Sequence, residues 1–436
     1  MQRIFLILSL IFCFEIHVYA FQTDSVFQFG GFVRGVVWGG SESYDYSNLY
    51  GELAIKADFD NQKTFLKTDL RFREGFFMGE RKTVLELKEA YAGLRGGFAE
   101  LYLGNQIIKW GRADGFNPTD NINPSDYFFL SPDQDDQKLG NFMIRGLVKP
   151  ADMIDLELIA IPVFKPSVYK YNLFELGENV TFSDYQLPAT TFGNGAIAAR
   201  LNFELPAIGF SLSYFNGFDP FYGYTIKSFN FSAAPEIVFV PDFYRKQSFG
   251  FDFAIPVGKL IFRGESALNL TSDYENNIHI PNPDIYYVGA MEFGFAGITA
   301  IAQFIGKYTI DYKVLSIPVL LNPMDNNALY QYAFQMTEYE AGEYNRKIMH
   351  QQKETNNSLF LSLRRSFAYE MLTITLSGLY DFTSQEYLFR SDMKWKASDA
   401  LTFAIGGNLM NGPDKSLFSH AGKVLNGLFL GMTVNF

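Results

Sequence analysis

From Asn48 to Asp60 the side chains fall into two alternating rows, and this period of two limits the fold more than any other feature of the chain. Leu49, Gly51, Leu53, Ile55, Ala57 and Phe59 make one row; Tyr50, Glu52, Ala54, Lys56 and Asp58 make the other. Successive side chains of a strand point to opposite faces, so the segment reads as a strand with one apolar and one charged surface. The next run repeats the pattern, with Leu66, Thr68, Leu70 and Phe72 against Lys67, Asp69, Arg71 and Arg73. Its polar row carries both signs of charge, which suits pairing across neighbouring strands on a wetted surface. Runs around Ala199–Glu204, Ser248–Phe253, Leu260–Leu270 and Leu359–Arg364 follow the same rule. One such strand would also fit a soluble sheet with its apolar row in a core. Many of them, with no linker or composition break between, call for hydrocarbon on one side and water on the other.

The connections supply an independent test. Alternate ones are short, at residues 60–63, 95–98, 149–152, 205–209, 256–259, 295–297, 367–370 and 397–400. The others span 39–47, 74–82, 110–138, 165–193, 218–246, 271–283, 308–355 and 411–423, with 382–385 the one short member. A transmembrane meander has this parity, with short turns on one side of the membrane and long loops on the other. The expected fold is therefore all-β: a transmembrane antiparallel up-and-down β-barrel of about eighteen strands, or roughly sixteen if one weak pair belongs to a loop.

The amino terminus agrees. Arg3, the apolar run Ile4–Phe14 and then Val18-Tyr19-Ala20 read as a signal peptide over residues 1–20, leaving residues 21–436 as a single barrel domain. The single cysteine, Cys13, lies in that signal, and Phe12 before it is too large for a lipid-attachment motif, so the mature chain is expected to have no disulfide or thiolate site. Little separates Phe21 from Val26, and no plug domain is expected ahead of the first strand. Aromatics make up 17% of the chain, with 46 Phe and 26 Tyr, a bias that suits lipid-facing strands and interfacial girdles. The net charge of -11 argues against nucleic acid as a partner.

Catalysis has little support. His17 leaves with the signal, while His279, His350 and His420 are isolated in separate loops without metal-ligand spacing. No phosphate-binding glycine loop or nucleophile elbow is present, so no catalytic residue, metal or cofactor is expected.

One segment is distinctive. Residues 106–127 run Gln106-Ile107-Ile108-Lys109-Trp110-Gly111-Arg112, then through Asn117-Pro118 and Asn123-Pro124 to Asp126-Tyr127. Prolines push the residue before them out of helical backbone, and Asn and Asp cap local turns, so an ordered loop is expected between the fifth and sixth strands. With Glu89-Ala90-Tyr91 on the preceding strand, the segment resembles a family of porin-like outer-membrane proteins in which Gln-x-x-x-Trp-Gly leads into an Asn-Pro-rich loop. It is more distantly similar to alginate-export barrels and general porins, whose loop at this place folds inward and narrows the channel. The resemblance implies that Lys109, Trp110, Arg112, Asp114, Asp120 and Asp126 line or brace a constriction, with Arg71 and Arg73 as further pore candidates. The bland alternative makes Trp110 an interfacial girdle residue and the loop a capped lid.

The last strand, Gly427–Phe436, alternates Leu428, Leu430, Met432, Val434 and Phe436 with Gly431, Thr433 and Asn435, and it resembles the closing strand of an outer-membrane barrel. Phe436 is thus the expected closure residue. The polar rows hold a slight excess of base, read as charge balancing ahead of anion selectivity. The expected function is an outer-membrane channel for small hydrophilic, conceivably anionic, solutes; the alternatives are a polysaccharide export duct, or a surface-binding barrel whose long loops, above all 308–355 with Tyr330, Tyr332, Phe334, Tyr339 and Tyr344, recognise a partner. The implied partners are outer-membrane lipid of a Gram-negative-type bacterium, the solutes and the barrel-assembly machinery, with a homo-trimer left open.

Overall fold

The computed structural model describes residues 27–61, 63–173, 179–231 and 236–436. The expected signal peptide and the residues near Phe21 lie outside them.

Within these residues the alternating runs become strands. The first half of the chain contributes β1 (Phe27–Gly39), β2 (Tyr46–Asp60), β3 (Thr64–Phe77), β4 (Glu80–Arg95), β5 (Ala99–Gln106), β6 (Asn141–Ala151), β7 (Ile154–Ile161), β8 (Val180–Phe182), β9 (Ala196–Glu204) and β10 (Gly209–Phe218). The second half adds β11 (Gly223–Asn230), β12 (Glu236–Asp242), β13 (Arg245–Val257), β14 (Leu260–Thr271), β15 (Asp284–Phe295) and β16 (Ile298–Thr309). It ends with β17 (Thr355–Phe367), β18 (Leu372–Asp381), β19 (Tyr387–Lys396), β20 (Leu401–Asn411) and β21 (Gly427–Asn435). All but β8, β11 and β12 join one 18-stranded sheet, each strand antiparallel to the next in sequence. The sheet closes where β21 pairs with β1, from Phe32 opposite Asn435 to Gly39 opposite Leu428. Beyond the strand itself, Phe436 and Gly31 exchange backbone hydrogen bonds of 3.0 and 3.1 Å. Closure removes the edge, which in hydrocarbon would leave backbone groups unpaired at several kcal/mol each.

The two rows sort as their chemistry requires. Leu53, Leu66, Phe72, Leu101, Leu103, Phe249, Phe251, Phe304, Leu361 and Leu363 stand exposed on the outer face. Their charged and polar neighbours in sequence point inward, and many are buried there, including Arg34, Glu52, Asp69, Arg71, Arg73, Asp252 and Glu265. Burial on the inner face of so wide a barrel means that something fills part of the lumen.

Three departures from the sequence reading stand out. The long outer connection expected at 74–82 is a two-residue turn, because β3 and β4 extend to Phe77 and Glu80. Met78 and Gly79 both take positive φ, 48° and 79°, as the tight turn that matches strand twist demands. Second, the loop 308–355 contains a helix, α1 (Asn326–Ile348), whose start is capped by Asp325 accepting from the Asn327 N–H at 3.0 Å. Third, α2 (Leu417–Leu425) interrupts the last long loop, and Ser416 caps it. Of the two helices, α1 carries no apolar stripe, whereas α2 has Leu417, Ala421, Val424 and Leu425 at helical spacing. Outside the barrel wall, β11 pairs antiparallel with β12, and β12 runs parallel to β8.

Candidate pore constriction

The loop from Ile107 to Gly140 is what fills the lumen, and its own sequence shapes it first. Asn123 ties its two ends together: its side-chain oxygen accepts from Ile108 N–H at 2.8 Å, and its amide donates to the carbonyls of Gln106 and Leu139 at 2.8 and 2.9 Å. Asn141 donates to the carbonyl of Ile122 at 3.1 Å, closing the neck. Trp110 turns inward from that neck. It is 1% exposed, packs with Ile108, Ile122, Met143, Ile159 and Phe215, and donates its indole N–H to Glu157 at 2.8 Å. This excludes the girdle alternative, since an interfacial tryptophan would stand on the outer face.

The later part of the loop, toward β6, is pinned to β1–β4. A single 3-10 turn, Gln134–Gln137, presents the Asp136 carboxylate to Arg71 at 2.6 Å and Arg34 at 2.7 Å, while Ser131 donates to it at 2.6 Å. Burial opposes the charge on Asp136, yet Arg34 and Arg71 outweigh that penalty and hold its carboxyl well below the ordinary range. Around this pair, Arg34 and Arg73 grip Glu52, Arg73 reaches Glu86 at 2.6 Å, and Arg71 pairs with Asp69 at 3.0 Å. Lys88 donates to the carbonyl oxygens of Asp136 and Lys138. The network balances its charges, which a buried cluster must do.

The earlier part, next after β5, is pinned to the opposite wall. Glu265 on β14 accepts from the backbone N–H groups of Arg112 and Ala113 at 3.2 Å each, and from the N–H and hydroxyl of Thr119 at 2.8 Å each. Gly111 allows this approach in two ways: its φ is 93°, and a Cβ there would stand 2.5 Å from the carboxylate oxygens. Arg112 then fans out to Asp252 at 2.7 Å, Asn202 at 2.6 Å and Glu204 at 2.7 Å, and Arg263 donates to its carbonyl at 3.0 Å. Phe116 meets Phe360 of β17 edge-on at 5.4 Å. A third contact lies at the closing seam, where Pro132 rests on Gly431 and Asn48 donates to the Leu130 carbonyl.

The candidates named from sequence thus divide. Lys109 is exposed and pairs with Asp135 at 2.5 Å, and Asp114 is half exposed opposite Arg263 at 3.2 Å. Asp120 pairs with Lys138 at 2.7 Å, and Asp126 accepts from Phe128 N–H at 3.0 Å; burial pushes the Asp126 carboxyl above its ordinary range. Arg71 and Arg73, expected at the pore, are 6% and 5% exposed and hold the loop instead of facing water. Arg34, Glu52, Lys88, Asp136, Asp252 and Glu265 were not singled out. Their only signal is a place on a polar row or in the acidic run Asp133–Asp136.

Across β17–β19 the loop touches the wall at Phe360 and Arg390 and leaves the rows toward the short turns open. Arg364, Arg390, Asp392, Lys394 and Lys396 fall on the wall's inward rows, opposite in phase to exposed Leu361, Leu363, Phe389, Met393 and Trp395. Among the described residues none of those four bases forms an ion pair. Arg390 stands over the rings of Trp38 and Phe429 at 5.9 and 5.7 Å and donates to the Ser131 and Pro132 carbonyls at 3.4 and 3.5 Å. Asp133, on the exposed edge of the loop, lies within electrostatic reach of Arg390 and Asp392. The loop edge of Asp133, Gln134 and Asp135 therefore faces a largely basic wall lined with Ser362, Ser366, Thr373, Thr375 and Ser377.

No family model matches the chain, and no curated protein is similar to it in sequence. Solved structures are similar in fold. Pseudomonas aeruginosa OccK11 (OpdR) shares 13% identity over 94% of this chain and 96% of its own, with a TM-score of 0.52. Acinetobacter baumannii OccAB3 shares 9% over 94% and 98%, at 0.56. P. aeruginosa OccK2 (OpdF), solved in complex with glucuronate, shares 9% over 94% and 97%, at 0.54. The closed 18-stranded antiparallel barrel is the fold of these Occ outer-membrane porins.

Proposed function

We propose that the chain is an outer-membrane channel through which small hydrophilic solutes diffuse, and that it favours anions. The observation that carries this is the lumen itself. A loop pinned on both sides narrows it and leaves open a wall whose bases Arg364, Lys394 and Lys396 lack ion-pair partners among the described residues, with Arg390, also without one, at the loop's edge. Unpaired bases on a narrow wetted wall raise the local concentration of anions, and the hydroxyls between them replace hydration water. The function needs no chemistry on the solute. The fold shared with Occ porins supports the membrane setting, and glucuronate bound to OccK2 is a solute of the class proposed here.

Single-channel recording of refolded protein in planar bilayers tests this. Stable ohmic steps with an anion-selective reversal potential in a salt gradient are expected. Replacing Arg390, Lys394 and Lys396 together by Gln should abolish that selectivity while conductance persists. Complete absence of steps would overturn the channel, and cation selectivity of the unaltered protein would overturn the anion preference.

A further inference from the structure

On the side of the long connections, three segments that leave the barrel wall enclose a cavity of about 260 Å³. One wall is the connection between β14 and β15, the second is the stretch that follows β16, and the third is the end of α1 with the residues after it. Side chains brace each wall against the other two. Asn282 donates to the carbonyls of Ile310 and Asp311 at 3.0 and 3.1 Å, which ties the first wall to the second. Arg346 donates to the Lys313 carbonyl at 2.6 Å, and Tyr312 to that of Gln352 at 2.7 Å, which ties the second to the third. Asn345 donates to the Ile278 carbonyl at 2.8 Å, while Gln351 accepts from the Asn282 N–H at 3.0 Å and donates to its carbonyl at 2.9 Å, which joins the third to the first. Asn345 and Gln351 are buried, so water does not compete for these bonds. Each segment also holds one non-glycine residue in left-handed backbone: Asp273 at φ 61°, Asp311 at 53° and His350 at 55°. Strain of that kind persists only where the surroundings over-determine it. The void is thus held open, although Ile278, Ile280, Leu315 and Met349 on its lining would favour collapse.

We propose that this cavity binds a small soluble acid, an oxyanion carried on a short apolar body. Arg346 sets the polar half of the ligand. Its guanidinium lies over the Tyr312 ring at 5.0 Å and gives one N–H to Lys313, so the fork is fixed with donors to spare, and among the described residues no carboxylate pairs with it. The two acids of the lining gather at Lys313 instead. Glu275 pairs with its ammonium at 2.8 Å, and Asp311, which accepts from the Tyr274 hydroxyl at 2.9 Å, lies within its electrostatic reach. A fixed guanidinium with free N–H groups matches the paired oxygens of a carboxylate or a phosphate. The aliphatic lining sets the apolar half. At about 30 Å³ for each water-sized group, the cavity holds a ligand of roughly eight or nine non-hydrogen atoms. Its mouth is open to water, since Val314 and the Lys313 and Glu275 side chains are exposed. The site lies outside the lumen and is independent of what the channel conducts.

The test is isothermal titration of the full mature chain in detergent with hexanoate, with butyl phosphate and, as the uncharged control, with hexanol. The same titrations are run on the variant whose lumen bases Arg390, Lys394 and Lys396 are replaced by Gln. In both proteins one molecule of acid per chain is expected to bind, with hexanol at least about tenfold weaker. Arg346→Gln should weaken the acids about tenfold, the worth of a charge-assisted hydrogen bond. Ser316→Trp, which narrows the cavity from an exposed position on its lining, should do the same without removing the guanidinium. Heat-modifiable gel migration of each variant and unchanged single-channel conductance of Ser316→Trp show that the barrel is intact. Whichever acid binds more tightly names the oxyanion and sustains the site. Binding unchanged by Arg346→Gln would overturn it, and so would binding absent from the lumen variant, which would move the acids to the channel wall. Hexanol bound as tightly as hexanoate would overturn it as a site for acids.

Discussion

Glu265 holds the loop with one carboxylate against three backbone N–H groups and a hydroxyl, with no guanidinium among those donors. Glu265→Ala leaves those donors without their acceptor, at a cost of about 2–4 kcal/mol to docking of the loop tip. Trypsin should then cut after Arg112, a bond protected in the parent. Asp136 makes a contrasting prediction. Because its carboxyl is held low by Arg34 and Arg71, its contribution is complete above the unfolded value near pH 3.9 and is lost only as pH falls through the lower folded value. Amide exchange over 131–138, corrected for its intrinsic pH dependence, should be unchanged from pH 7 to about pH 4. Asp136→Asn should expose the same amides at neutral pH, since breaking a buried pair costs about 3–5 kcal/mol. The resemblance carried by Trp110-Gly111 and the Asn-Pro turns points to Trp110 and Arg112. It did not point to Glu265 or Asp136, whose partners lie 146 and 65 positions away.

At the scale of elements, strands are legible in the sequence and the long helix α1 is not. Alternation is a local signal that every outward leucine reinforces, and lipid on one face makes it strict. The buried face of α1 is Thr337, Ala341, Gly342, Asn345 and Ile348, mostly small or polar, so no apolar stripe announces a helix. What secures it is tertiary. Asn345 bonds to both the N–H and the carbonyl of Tyr224 at 2.8 Å, and Phe229 of β11 meets Tyr330 and Phe334 edge-on at 5.5 Å each. Two aromatics of this loop, read from sequence as partner-binding, are thus packed against β11. Phe229→Ala should therefore loosen the first half of α1 by about 1–3 kcal/mol, the worth of two aromatic pairs. Faster amide exchange over 326–336 with the 341–348 half unchanged would show it.

For the whole molecule, an acidic chain with net charge -11 encloses a lumen wall that is locally basic. Selectivity that arises from such a wall must weaken as salt screens it, because the screening length is about 10 Å at 0.1 M and about 3 Å at 1 M. Anion preference measured at 0.1 M should thus shrink at 1 M while conductance rises. The total charge could not reveal this, since it does not say which acids sit in loops and which bases face the water path. Register decides that, and a shift of one residue exchanges the faces.

The pinned loop also imposes an order in time. Its partners Arg34, Arg71 and Lys88 precede it in the chain, Glu265 follows far behind, and Gly431 comes almost last. One flank of the loop can seat while the barrel is still an open sheet, whereas the other waits for strands that span most of the remaining sequence. Long-range contacts of that kind form slowly. The passage through the protein therefore acquires its final width only as the last strands arrive, and an assembly intermediate would be leakier than the finished molecule.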